Sequence, residues 1–151
     1  MPDALFRLAT SKCLYPAVLR ESSMSLRILI ADDNPLVRYG VRIYVESHGG
    51  WAVCGEAGDG FETIEKAVSL RPDLVLLDIS MPNLDGIDAA SALRQKVPGL
   101  GIIILTLHES LDLARVASRA GAWGYVTKSL ISTELLPTIE AFESAMPAPG
   151  H

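Results

Sequence analysis

Apolar runs alternate with segments of helical spacing along the chain from residue 26 onward. A short apolar run bounded by turn residues is typical of a strand buried on both faces of a sheet. On this pattern we predict five strands, at LRILIA (26–31), WAVCGEA (51–57), DLVLLD (73–78), GIIILT (101–106) and WGYVTK (123–128).

Each predicted strand is followed by a segment whose apolar residues recur three and four positions apart, which indicates one face of a helix. Pro137 falls inside the fifth segment, where an interior proline removes a hydrogen bond, so this helix should begin near Leu135 or be kinked. The predicted apolar faces are Leu36, Val37, Val41, Tyr44 and Val45; Phe61, Ile64, Ala67 and Val68; Ile87, Ala90 and Leu93; Leu113, Ala114, Val116, Ala117 and Ala120; and Leu135, Leu136, Ile139 and Phe142.

The helix boundaries carry their own signals. Asn34 can cap the first helix, and Pro35 follows at the first helical position, where proline is tolerated. Asp59 with Glu62 three residues later resembles a capping box. The other boundary signals are a turn and cap at Asp85-Gly86 and helix-ending glycines at Gly49-Gly50 and Gly121.

Five strands alternating with five helices imply a parallel sheet that is covered by helices on both faces. Right-handed crossovers restrict how such strands can be ordered. We therefore predict a flavodoxin-like (βα)5 doubly wound parallel sheet with strand order 2-1-3-4-5. In sheets of this kind, ligands gather at the carboxyl ends of the strands, near the switch in strand order.

The composition indicates a soluble globular chain of 151 residues with a net charge of −5. This acidic balance argues against binding nucleic acid through a basic face. No apolar run approaches the ~18 residues of a membrane span, and charged residues interrupt the first 24 positions, so we expect a cytoplasmic protein with neither membrane contact nor signal peptide. We predict a poorly ordered extension at residues 1–24, one domain at 25–144 and a short tail at 145–151.

Cysteine and histidine do not indicate a metal site. Cys13 and Cys54 are far apart and form no CxxC motif, which predicts neither a disulfide framework nor a zinc site. We interpret the three scattered histidines as packing or surface residues; they are His48, His108 and His151.

Polar residues stand at the carboxyl ends of four of the predicted strands and should converge at one edge of the sheet. They are Asp32-Asp33, Asp78, Thr106 and Lys128. Three neighbouring carboxylates resist ionising together, and a hard divalent cation such as Mg²⁺ relieves that conflict through oxygen ligands. A carboxylate can also act as a nucleophile toward phosphorus, with the ammonium and hydroxyl groups stabilising the resulting phosphate.

Each of these residues also has a simpler interpretation. Asp78 could be only a strand-end turn residue, and Asp32-Asp33 only a helix cap, although Asn34 already provides one. Thr106 is a common β-former, and a lone lysine such as Lys128 is usually a solvated charge. The combination in one predicted location is what favours the chemical interpretation.

Four segments in order resemble the receiver domain of bacterial two-component response regulators. The sequences of the last two segments are most similar to the NarL/FixJ-like branch of this family. The resemblance covers roughly residues 25 to 143. The segments are ILIADDNPLVRYG, LVLLDISMPNLDG, IIILTLHES and AGAWGYVTKS.

The resemblance assigns a role to each matching residue. Asp78 matches the phosphoacceptor, Lys128 the lysine that pairs with the phosphate, Thr106 the switch hydroxyl, and Tyr125 the aromatic that turns inward with it. The tyrosine could also be a packing residue. The implied Mg²⁺ ligands are Asp33 and Asp78 directly, Ser80 through its backbone carbonyl, and Asp32 through water.

The resemblance implies a phosphorylation-activated signalling switch whose partner is a sensor histidine kinase, and it allows a homodimer on activation. Output would be transcription regulation, with DNA bound only through an effector domain absent from this chain. The alternative is a stand-alone receiver that acts through protein contacts or as a phosphate sink. An enzyme on separate substrates is disfavoured, because an aspartate-nucleophile phosphatase needs a second acid where Ser80 stands.

Two departures from the family pattern concern the details of the switch. Ser129 follows Lys128, where many members of the family have proline, although the NarL/FixJ-like branch often lacks it. His108 stands where residues tune how fast water reaches the acyl phosphate, so an imidazole there affects the phosphoryl lifetime.

Overall fold

The apolar runs form one parallel sheet in the computed structural model, which describes residues 25–107 and 110–146. Within these residues the strand order is β2-β1-β3-β4-β5, so the predicted flavodoxin-like order 2-1-3-4-5 is confirmed. The prediction began β3 one residue too early and made β5 one residue too long at each end. The strands are β1 Leu26–Ala31, β2 Trp51–Ala57, β3 Leu74–Asp78, β4 Gly101–Thr106 and β5 Gly124–Thr127.

Helices follow the strands as the spacing predicted. A 3₁₀ turn at Lys128–Leu130 and a π turn at Ile131–Leu135 precede the last helix, which begins at Leu136. Pro137 therefore lies in the first turn of this helix, where proline is tolerated. The helices are α1 Pro35–Glu46, α2 Gly60–Leu70, α3 Gly86–Lys96, α4 Leu111–Arg119 and α5 Leu136–Ala145.

The predicted caps are present, with one displacement. Asn34 Oδ1 accepts from the backbone N–H of Leu36 at 2.9 Å, and Asp85 caps α3 in the same manner. Asp59 caps α2, but Glu62 accepts from the N–H of Gly58 at 2.7 Å, one residue before the position of a standard capping box. The turn before α2 is thus closed one residue earlier than the sequence predicted.

The sheet lies between two layers of helices. α1 and α5 cover one face, while α2, α3 and α4 cover the other. Every residue of β3 and β4 is buried, which explains why these strands are continuously apolar until their ends. A fully buried leucine such as Leu76 stabilises the fold by roughly 1.5–3 kcal/mol.

Four residues of the predicted helix faces are exposed, so the prediction was wrong at these positions. Leu36 is 79% exposed, and the others are Phe61, Val68 and Val116. Each helix packs against the sheet along a narrower stripe than its apolar residues occupy. In α1 that stripe contains Val41 and Val45, while Leu36 lies on the flank.

Some predictions fall outside the described residues. These are the N-terminal extension at residues 1–24, residues 147–151 of the tail, Cys13, His108 and His151. His48 stacks on Trp51 with ring centroids 3.6 Å apart, in keeping with a packing role, and Cys54 packs against the core. None of the helices in the described part of the chain has the length and apolar character needed to cross a bilayer.

Two glycine substitutions test the close packing around the end of β3. A Cβ at Gly86 would lie 2.3 Å from the main-chain oxygen of Asp78, so Gly86→Ala should lower the free energy of unfolding by about 1–3 kcal/mol. Gly40 lies within α1 with no atom near its Cβ position, so Gly40→Ala should raise it by about 1 kcal/mol. Urea denaturation measures both, and equal midpoints for the two variants would contradict the packing described.

Candidate functional site

Three carboxylates meet at the carboxyl edge of the sheet, as the sequence predicted. Asp32 and Asp33 follow β1, and Asp78 is the last residue of β3, the neighbouring strand. One carboxylate oxygen from each of the three residues lies within 4.8 Å of the other two. Asp32 is 1% exposed and Asp78 3%, whereas Asp33 is open to solvent. The arrangement combines two buried acids with one that solvent can reach.

Lys128 joins the two buried acids. Its ammonium nitrogen lies 2.7 Å from Asp32 Oδ2 and 3.1 Å from Asp78 Oδ1. Burial alone would lower the pKa of Lys128, but the hydrogen bonds to Asp32 and Asp78 outweigh burial and raise it. The ammonium group therefore remains charged and offsets part of the negative charge at the sheet edge.

The carboxyl group of Asp78 is harder to ionise than an ordinary aspartate. Burial raises its pKa most, and the nearby charge of Asp32 raises it further. Hydrogen bonds from Lys128 and from the backbone N–H of Ser80 act in the opposite direction without cancelling the shift. An added cation at this position would relieve an existing electrostatic cost.

The polar groups of Asp32 all have partners. Its N–H donates to the oxygen of Ala57 at 3.0 Å, and its Oδ1 accepts from the N–H of Asn34 at 2.8 Å. Its Oδ2 accepts from Lys128, and its main-chain oxygen accepts from Arg38 Nη1 at 2.6 Å. Asp32 is therefore held in place, and Asp33 carries the carboxylate that faces solvent.

Thr106 and Tyr125 lie on one face of the sheet. Thr106 ends β4 one residue beyond Leu105, the register partner of Asp78, and it is buried. Tyr125 pairs in register with Ile104 and is half-buried against the layer formed by α2, α3 and α4. Because side chains alternate between the faces of a strand, Thr106 and Ile104 point to the same side as this layer. Ser80 is exposed in the loop after β3.

The sequence analysis missed a second charged group beside the acids, which consists of Glu56, Arg38 and Arg42. Arg38 Nε donates to Glu56 Oε1 at 3.0 Å, and Arg42 Nη1 donates to Glu56 Oε2 at 2.7 Å. The spacing could have indicated it: helical side chains lean toward the N-terminus, so a long basic residue one turn into α1 can reach back to the strand end.

The pKa of Glu56 reflects this pairing. Burial would raise the pKa, but the hydrogen bonds from Arg42 and Arg38 outweigh burial and lower it. Glu56 therefore stays ionised as the anion between two guanidinium groups.

Two hydrogen bonds hold the loop that carries Ser80. The N–H of Gly86 donates to the oxygen of Ile79 at 3.0 Å, and Asn83 Nδ2 donates to Asp59 Oδ2 at 3.0 Å. Asn83 adopts a left-handed backbone conformation with φ of 70°, which asparagine tolerates better than most residues. The loop is thereby fastened to the start of α2.

Comparison with known proteins agrees with this geometry. Residues 28–140 match the family model described as the response regulator receiver domain. The chain is 39% identical over 116 residues to the uncharacterized transcriptional regulatory protein YxjL of Bacillus subtilis, covering 77% of this chain and 53% of that protein. It spans about half the length of curated relatives of this kind.

Two solved structures extend the similarity to the fold. One is a LuxR-family two-component response regulator from Aurantimonas sp. SI85-9A1, with TM-score 0.78 and 39% identity, covering 82% of this chain and 89% of that one. The other is the signal receiver domain of the response regulator NarL from Mycobacterium tuberculosis, with TM-score 0.76 and 30% identity, covering 81% and 98%. The NarL-like resemblance is thus confirmed.

Replacing Glu56 with glutamine tests the charged group beside the acids. Because the folded-state pKa of Glu56 is lowered, its carboxylate stabilises the fold above the unfolded-state pKa and loses that effect as pH falls through the folded-state value. The free energy of unfolding of wild type should exceed that of Glu56→Gln by about 1–2 kcal/mol at neutral pH. The difference should shrink below about pH 4.5.

Urea denaturation over a pH series measures this difference, with the exposed Glu65→Gln as the control for removing one acid. A gap between wild type and Glu56→Gln that stays constant as pH falls would contradict the pairing.

Proposed function

Because the chain belongs to the response regulator receiver domain family, we propose that it is a signalling switch that accepts a phosphoryl group on Asp78 from a histidine kinase. The observation that carries this proposal is the meeting of three carboxylates with the ammonium group of Lys128 at one sheet edge. A carboxylate at the end of a buried strand, flanked by acids and a fixed cation, suits attack on phosphorus.

The acidic group fits Mg²⁺. Its donors are carboxylate oxygens within 4.8 Å of one another, the type of ligand this ion prefers. Asp33 and Asp78 would hold it directly, together with the backbone carbonyl of Ser80. Asp32 would act through water, since both its carboxylate oxygens already accept from Asn34 and Lys128. When bound, Mg²⁺ supplies charge neutralisation to the phosphoryl oxygens.

In the proposed reaction, a carboxylate oxygen of Asp78 attacks the phosphorus of a phosphohistidine. A new O–P bond forms, the P–N bond breaks, and the leaving imidazole takes up a proton from solvent. Lys128 would shift from its present acids toward the phosphate, because a dianion attracts the ammonium more strongly than one carboxylate does.

The same residues would convert the modification into a change of shape. Thr106 would donate its hydroxyl to a phosphate oxygen, and Tyr125 would change its side-chain orientation on the same side of the sheet. The surface formed by α4, β5 and α5 would then change its partner preference. This is a shift between two populated states, biased by contacts that only the phosphate provides.

The partner would reach Asp78 over α1. Beside the acidic pair, α1 exposes Leu36, Tyr39 and Ile43 at helical spacing along one stripe. An apolar stripe next to a reactive group is suited to docking the protein that delivers the phosphoryl group. This supports a sensor histidine kinase as the phosphodonor, and a homodimer is a second use of such a surface.

We further propose that residues 25–144 are the receiver unit of a transcription regulator. Support comes from the relative named as a transcriptional regulatory protein, which is almost twice as long as the matched part of this chain. An enzyme acting on other substrates is less well supported, because Ser80 stands two residues after Asp78, where an acid would be needed to protonate a leaving group.

Replacing the phosphoacceptor should abolish the reaction. Wild type incubated with radiolabelled acetyl phosphate and Mg²⁺ should acquire one acid-stable, hydroxylamine-labile label, and Asp78→Asn should acquire none. The exposed Asp112→Asn should be labelled like wild type, and EDTA should prevent labelling of every variant. Retained labelling of Asp78→Asn would reject the proposal.

The switch role of Thr106 is separable from phosphorylation. Thr106→Val should bind beryllofluoride with Mg²⁺ yet show much smaller amide shifts in α4, β5 and α5 than wild type, because the hydroxyl donor is lost. Thr106→Ser should restore the shifts. NMR spectra of ¹⁵N-labelled protein measure both, and full shifts in Thr106→Val would exclude this hydroxyl from the switch.

A further inference from the structure

We propose that Arg38, anchored by Glu56, is a positioning residue that holds the Asp33 carboxylate in the orientation needed for Mg²⁺. The inference rests on the proposed function and adds a residue to it. Arg38 touches no reacting atom. Its guanidinium donates to the main-chain oxygen of Asp32 at 2.6 Å and to Glu56 Oε1 at 3.0 Å.

These contacts fix both peptide groups that flank Asp33. The peptide between Asp32 and Asp33 is planar, so holding the Asp32 oxygen sets the orientation of the whole unit. The next peptide is held through the N–H of Asn34, which donates to Asp32 Oδ1 at 2.8 Å. With both planes fixed, the two backbone dihedrals of Asp33 are determined, and so is the direction of its Cβ.

Asp33 needs this support more than its neighbours. Asp32 and Asp78 are buried and both contact Lys128, whereas the Asp33 side chain is exposed at the start of a loop. A solvent-exposed carboxylate samples several rotamers, and ordering it on metal binding costs free energy. A backbone fixed in advance reduces that cost.

The geometry requires arginine at position 38. A planar guanidinium offers several N–H groups in a fixed fork, which lets one side chain bind a carbonyl and a carboxylate at once. Glu56 orients that fork from β2, the strand on the other side of β1 from Asp78. A lysine in this place would keep the charge but could not hold the two partners in the same fixed geometry.

Charge and positioning predict opposite effects of removing Arg38. Taking a cation away from an acidic group strengthens the binding of another cation if charge alone matters. Releasing the Asp32–Asp33 peptide weakens that binding if positioning matters. The direction of the change in Mg²⁺ affinity therefore decides between the two.

The test measures Mg²⁺ affinity of the full chain by titrating ¹⁵N-labelled protein with MgCl₂ and following amide shifts. Arg38→Ala should raise the Kd on the order of tenfold, the usual effect of losing a residue that orients a metal ligand. Arg38→Lys, which retains the charge, should also raise it. An unchanged or lower Kd in Arg38→Ala would overturn the inference.

Arg42→Ala is the matched control. Arg42 binds the other oxygen of Glu56 and also contacts Glu46, and it carries the same charge on the same helix. Its removal should leave the Kd within about twofold of wild type, because the Arg42 charge is half-exposed and screened by solvent. An equal loss in Arg42→Ala and Arg38→Ala would overturn a specific role for Arg38.

Failure of this inference is distinguishable from failure of the proposed function. If wild type shows no saturable Mg²⁺ response, or if Asp78→Asn is still labelled by acetyl phosphate, the proposed function fails. If wild type binds Mg²⁺ and Arg38→Ala binds equally well, only the positioning role fails. Should Arg38→Ala not fold, as judged by its urea denaturation curve, an unchanged Kd in Arg38→Lys would overturn the inference in its place.

Discussion

Electrostatic repulsion among three acids is the constraint on which the rest of the structure depends. At an effective dielectric constant of about 20, two like charges about 5 Å apart repel by roughly 3 kcal/mol. The ammonium group of Lys128, in contact with Asp32 and Asp78, offsets part of this cost. The pKa of Asp78 nevertheless remains raised, because burial raises it most and the charge of Asp32 adds to that effect. What remains unfavourable is the cost that a bound cation can relieve, which ties the electrostatics of the fold to metal binding.

Strand positions were predictable because this sheet buries its central strands on both faces. In β3 and β4 every residue is apolar until the site begins, so the sequence marks both the strand and its end. The helix faces were less predictable. Leu36 and Phe61 sit at helical spacing yet are exposed, since spacing shows which residues share a face and not how wide a stripe the sheet covers. The π turn before α5 has no local sequence pattern that distinguishes it from an ordinary helical turn.

The convergence of the acids followed from topology alone: once the strands are parallel, their carboxyl ends share an edge. Arg38 could not be found in this way, because its contact is with a main-chain oxygen and no pattern of side chains records such a partner. The direct contacts of Lys128 with two acids were also not predicted from the sequence, which placed the lysine at this sheet edge but assigned it a phosphate as its partner. Sequence thus identifies groups that carry charge at strand ends more readily than groups that orient the backbone.

The chemical groups come from strands that are far apart in the chain. Asp33 follows β1, Asp78 ends β3, Thr106 ends β4 and Lys128 follows β5, with a helix between each strand and the next. The turn at Gly99, where φ is +89°, divides them: the acids precede it, and the hydroxyl and the ammonium follow it. Two fragments separated at that turn would each carry only half of the constellation. The chain is therefore suited to split-protein complementation, in which beryllofluoride binding would report the reassembly of the two fragments.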